Sequence, residues 1–95
     1  MRIVQTREFI DSLATLRDIR AQVRIAIAAE RMANGNFGDS KSLGEGVMEA
    51  RIHFGPGYRI YYCRRGNALV VLLLCGAKPS QQSDIRRAKA LAGQL

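Results

Sequence analysis

The run Ala68–Cys75, A-L-V-V-L-L-L-C, constrains this chain more than any other segment, because every one of its positions is apolar. A strand with one wet face alternates apolar and polar residues. An unbroken apolar run therefore predicts a central strand with both faces covered. The run is far too short to span a bilayer as a helix. The N-terminal M-R-I-V-Q-T lacks an apolar signal core. A cytoplasmic chain with no membrane partner is expected.

Two further strand-like segments precede this run. Gly55-Pro56-Gly57 cannot continue a strand and predicts a hairpin turn between Val47–Phe54 and Tyr58–Arg65. Gly66-Asn67 predicts the next turn. Alternation sorts the side chains. Met48, Ala50, Ile52 and Phe54 share one face, and Glu49, Arg51 and His53 the other. Arg59, Tyr61, Cys63 and Arg65 likewise oppose Tyr58, Ile60, Tyr62 and Arg64. Arg51 and Arg59 thus lie inside strands, and Lys78 follows the end of the third. A strand gives a guanidinium a rigid base, and its planar fork suits phosphate oxygens. A sheet with helices on one face and an open basic face on the other is expected. Pairing of Arg51 with Glu49 or Glu45 as a structural ion pair is the alternative.

The remaining chain supplies helices. Residues 2–5 read as a short strand, and Thr6 caps a helix to about Leu16 with Phe9, Leu13 and Leu16 on one face. Asp18 is the N-cap of a longer helix. Its expected inward stripe is Ile19, Val23, Ala26 and Ile27, widened by Ile25 and Met32. Arg17, Arg20, Arg24 and Arg31 fall near the opposite side, and Asn34-Gly35 stops the helix. Residues 35–46, rich in Gly and Ser, predict a loop anchored by Phe37 and Leu43. From Ser80 or Ser83, the residues Asp84, Ile85, Ala88, Leu91, Ala92 and Leu95 predict an amphipathic C-terminal helix. The whole, residues 1–95, reads as one α+β domain of order β-α-α-β-β-β-α. It pairs a small, mostly antiparallel twisted sheet with a helical hairpin and a C-terminal helix.

Fifteen Lys and Arg against eight Asp and Glu give a net charge of +7 and a pI near 10.3. Such an excess on a small domain points to a polyanionic partner, nucleic acid first. Twelve of the fifteen cations are arginine, which favours specific phosphate or carboxylate contact. Cys63 and Cys75 fall in apolar runs and read as small buried hydrophobes of a reducing compartment. With one His and no Cys/His spacing, no metal site and no cofactor are expected.

The strings G-N-F-G-D, E-A-R-I-H-F-G-P-G-Y-R-I-Y-Y and L-L-L-C-G-A-K, together with the element order, resemble the RelE/ParE superfamily of type II toxin–antitoxin toxins. The likeness is to the HigB-like branch often called addiction module killer proteins, and it covers nearly the whole chain. It implies a toxin held inactive by an antitoxin of helix-turn-helix type, that reaches operator DNA only through that complex. It also implies a metal-independent endoribonuclease that cuts mRNA on the ribosome and stops translation. The alternative within the superfamily is a ParE-like DNA gyrase inhibitor. Carried over by position, Arg51, Arg59 and Lys78 are the candidate catalytic residues. His53, Tyr61, Arg65, Gln81, Gln82, Arg86 and Lys89 are the candidate RNA contacts. Arg17, Arg20, Arg24 and Arg31 are read as a solvated helix face or a contact to antitoxin and ribosomal RNA. RelE-type members carry a Tyr on the last helix, whereas residues 84–95 here, D-I-R-R-A-K-A-L-A-G-Q-L, hold neither Tyr nor His.

Overall fold

The apolar run becomes the strand that organises the molecule. The computed structural model describes residues Met1–Leu95 throughout. Its elements are β1 (Arg2–Gln5), α1 (Arg7–Ala14), α2 (Ile19–Ala33), β2 (Asp39–Gly44), β3 (Val47–Ile52), β4 (Tyr58–Arg65), β5 (Leu69–Ala77), a 3-10 turn (Lys78–Ser80) and α3 (Gln81–Gly93). One five-stranded sheet has the order β1-β5-β4-β3-β2. β1 pairs with β5 in parallel, and the other neighbours are antiparallel. The fold is α+β around a mixed sheet.

β5 is covered on both faces, as its composition requires. Val70, Leu72 and Cys75 enter a core with Phe9 of α1 and Ala21, Ile25 and Met32 of α2. Val71, Leu73 and Leu74 enter a second core with Ala88 of α3. Strict alternation would turn Leu72 and Leu74 the same way. A register shift opposite Tyr61 and Tyr62 leaves Leu73 as an extra residue in β5, and such a bulge moves the following side chains to the other face.

Thr6 ties α1 to this irregularity. Its hydroxyl lies 3.0 Å from the carbonyl oxygens of both Leu72 and Leu73, and it accepts the Phe9 N–H as N-cap of α1. Thr6→Ala is expected to cost about 1–2 kcal/mol, lowering the melting temperature by roughly 4–16 °C. Thermal denaturation followed by circular dichroism checks this. Thr6→Ser should keep most of the stability, and an unchanged alanine variant would show that the cap contributes nothing.

Three elements depart from what the sequence predicts. On α2 the main line of the expected inward stripe faces out: Ile19, Val23 and Ile27 are 72%, 52% and 41% exposed, and Ala26 is exposed too. Its widening residues Ile25 and Met32 are buried as expected. The buried ridge is Ala21, Ile25, Ala29 and Met32. Both ridges have helical spacing. The one built on alanines is slimmer and lets the helix lie close against β1 and β4.

The expected loop 35–46 contains β2, an edge strand paired with β3, so the observed order is β-α-α-β-β-β-β-α. Glu45 (φ 56°) and Gly46 (φ 79°) supply the left-handed pair that a tight two-residue hairpin turn requires. Ser and Lys are tolerated at an edge, where a single ladder suffices and a charge discourages further pairing. Phe37 does anchor the segment, stacking on Tyr62 with ring centroids 5.5 Å apart, and Leu43 packs on the second core.

The expected open basic face is largely roofed. Ile85, Ala88, Leu91 and Ala92 of α3 pack over Val47, Tyr61 and Cys63, leaving the end beside the β3–β4 turn uncovered. Leu95 lies beyond α3 and is exposed. Cys63 and Cys75 are free and buried. Burial raises both thiols, that of Cys75 to about 11, so they remain protonated. No helix is long and apolar enough to cross a membrane.

Candidate phosphate-binding groove

The turn Gly55-Pro56-Gly57 folds β3 onto β4 so that Arg51 and Arg59 become direct cross-strand partners. Two cations in register repel one another. The same strand carries the remedy two residues earlier, on the same face. Glu49 is fully buried, the one charged residue of the molecule that is. Its Oε1 lies 3.4 Å from Arg51 Nε and 4.0 Å from Lys41 Nζ. Its Oε2 lies 3.7 Å from Arg59 Nε and accepts a 3.0 Å hydrogen bond from Gln81 Nε2. Three cations around one carboxylate leave a positive surplus, directed to the uncovered end of the sheet.

That surplus borders a groove of about 440 Å³ lined by Arg51, His53, Arg59 and Lys78 together with the turn. No Asp or Glu lines it. Lys78 is held there by its backbone, whose N–H donates to the Gly57 carbonyl at 3.1 Å. The Arg59 side chain is 11% exposed, and its Nε and Nη1 have no hydrogen-bond partner. At 3.7 Å, Glu49 offers it charge but no hydrogen bond. Both of those nitrogens are buried, so what Arg59 lends the groove is the positive charge of a guanidinium fixed in its wall. His53 sits on the rim, its Nε2 2.8 Å from Asp39 Oδ2. No three His, Cys, Asp or Glu side chains gather as a metal-ligand set.

The other sequence candidates lie elsewhere. Tyr61 is completely buried, so stacking on a base is closed to it. Burial, and then the charges of Glu49 and Asp84, hold its phenol far above the ordinary value, and it stays neutral. Gln81 is committed to Glu49. Gln82 and Arg86 are exposed on α3, outside the groove. Arg65 follows Arg59 along β4 at a distance of roughly 20 Å. With Lys89 it lines a separate cavity near Glu45, and Lys89 Nζ pairs with Glu45 Oε2 at 3.2 Å. The groove therefore unites Arg51, His53, Arg59 and Lys78. Sequence reasoning offered Glu49 only as a possible partner of Arg51. The signal for its central role is a lone carboxylate that shares a strand face with arginines.

No model of a known protein family matches this chain. The chain is 41% identical over 95 residues to a protein of Haemophilus influenzae described as an uncharacterized protein, an alignment that covers all of the chain and 96% of that protein.

Proposed function

As a member of one family with that Haemophilus influenzae protein, the chain is, we propose, the toxin of a type II toxin–antitoxin pair. It has a RelE-like fold and HigB-like motifs, resides in the cytoplasm, and acts as a ribosome-dependent endoribonuclease on mRNA. The observation that carries this reading is the convergence of Arg51, Arg59 and Lys78 on one groove whose walls hold no carboxylate.

In such a reaction the substrate's own 2′-hydroxyl gives up its proton and attacks phosphorus, a 2′,3′-cyclic phosphate forms, and the bond to the 5′-oxygen breaks as that oxygen takes up a proton. The protein's task is to hold the phosphate and stabilise the charge that builds on it. Donors already held in place by a buried counter-ion do this without reorganisation. In-line geometry, which can lower the barrier by several kcal/mol, is left to the ribosome. The partner that silences such a site is an antitoxin, and a basic surface of this kind calls for acidic residues on it.

Primer extension on a reporter mRNA in a reconstituted translation system, with and without ribosomes, tests the reading. Cuts at codon positions that require ribosomes are expected. Lys78 forms no ion pair, so Lys78→Ala should fold normally while cleaving roughly 100-fold more slowly. Intact mRNA under continued growth arrest would overturn the nuclease and favour the ParE-like alternative, checked by DNA gyrase supercoiling.

A further inference from the structure

The groove at the β3–β4 turn does not end at Arg51 and His53. Beyond them a second groove of about 380 Å³ runs between α2 and β3, lined by Arg24, Arg31 and Asn36. Arg51, Ile52 and His53 line both grooves. Their walls also touch, because the Arg24 guanidinium lies 4.7 Å from the ring centroid of Phe54, which lines the first groove. Neither groove has an Asp or Glu in its lining. Arg24 and Arg31 enter no ion pair, so no carboxylate of the molecule neutralises them. Asn36 Oδ1 accepts the Gly38 N–H at 3.0 Å, which orients the amide and leaves its NH₂ group for a ligand. Each volume falls in the ~300–1,000 Å³ range that holds small organic ligands.

We propose that the two grooves form one track for single-stranded RNA. Resting on the nuclease reading, it places the scissile phosphate among Arg51, Arg59 and Lys78. The strand then crosses Arg51 and His53 into the α2 groove. There Arg24 and Arg31 take flanking phosphates and the Asn36 amide meets a base edge. Positive grooves that follow a backbone are how single strands are held without a duplex. The arginines of α2 thereby belong to substrate binding rather than to a merely solvated face.

Fluorescence anisotropy with 2′-O-methyl oligonucleotides, which cannot be cut, separates binding from cleavage. The wild type is expected to bind a hexanucleotide more tightly than a dinucleotide. The Arg24→Ala/Arg31→Ala double variant should bind the hexanucleotide roughly tenfold more weakly, and its log–log salt slope should fall by ~0.7 per lost phosphate contact. Its dinucleotide binding and circular dichroism should match the wild type. Unchanged hexanucleotide affinity and slope would overturn the track and leave these arginines to an acidic protein partner. Failure of the nuclease reading is visible separately, as absent cleavage with length-dependent binding intact.

Discussion

Glu49→Ala is expected to lower the unfolding free energy by about 3–5 kcal/mol, the cost of breaking a buried ionic cluster by removing one partner. Domains of this kind are stable by only ~5–15 kcal/mol in total, so the loss is severe, and the melting temperature should fall by ~12 °C or more. The cause lies in what remains. Arg51 and Arg59 stay in cross-strand register without the anion between them, and the Gln81 amide loses its acceptor. Glu49→Gln keeps an acceptor for Gln81 and nearly the same shape, so it should lose less. The difference between the two variants, read by urea or thermal unfolding, measures the charge itself. If Glu49→Ala melts with the wild type, the carboxylate does not hold the arginines together, and this account of the cluster fails.

The same coupling shapes the second large effect. Arg59→Ala alone strips Glu49 of a neighbouring cation in a buried position, so lost activity would be mixed with lost stability. In a Glu49→Gln background the buried charge is already gone. There, Arg59→Ala is expected to reduce ribosome-dependent cleavage by roughly 10²–10³-fold, the range for removing one preorganised donor from a developing charge. Its melting temperature should stay close to that of Glu49→Gln. A double-mutant cycle on stability should show strong non-additivity for this pair, as contacting charges do. Cleavage at the parental rate would remove Arg59 from the site and leave the phosphate to Arg51 and Lys78.

Much of the fold was legible because it depends on local rules. The central place of β5 follows from its unbroken apolar run, the β3–β4 turn from Gly55-Pro56-Gly57, and both helix starts from Thr6 and Asp18. The parts that were not legible depend on competition between elements. Two apolar ridges of α2 have equally good spacing, and only docking on the sheet selects the alanine-bearing one. β2 has poor strand composition and exists because β3 offers it a ladder. The bulge at Leu73 leaves no mark in a run that is apolar everywhere. For the site, alternation fixed the face of Arg51, Arg59, Tyr61 and Arg65 but said nothing of position along it. It could not tell that α3 would roof Tyr61, or that Arg65 lies at the opposite end of β4 from the groove. Arg51 and Arg59 were found because a short turn forces them together.

The parallel pairing of β1 with β5 sets the order of events in biosynthesis. Arg2 is joined to Leu69, and Gln5 to Leu72, so the first strand made must wait for the last. Phe9 and the buried side of α2 wait as well, since their core contains Val70 and Leu72. Closing so long a loop before any reward is the slow step of non-local topologies. Neither core can be completed until β5 has been synthesised, and Lys78 follows that strand directly. The nascent chain therefore carries an unassembled groove until β5 and Lys78 have both been made.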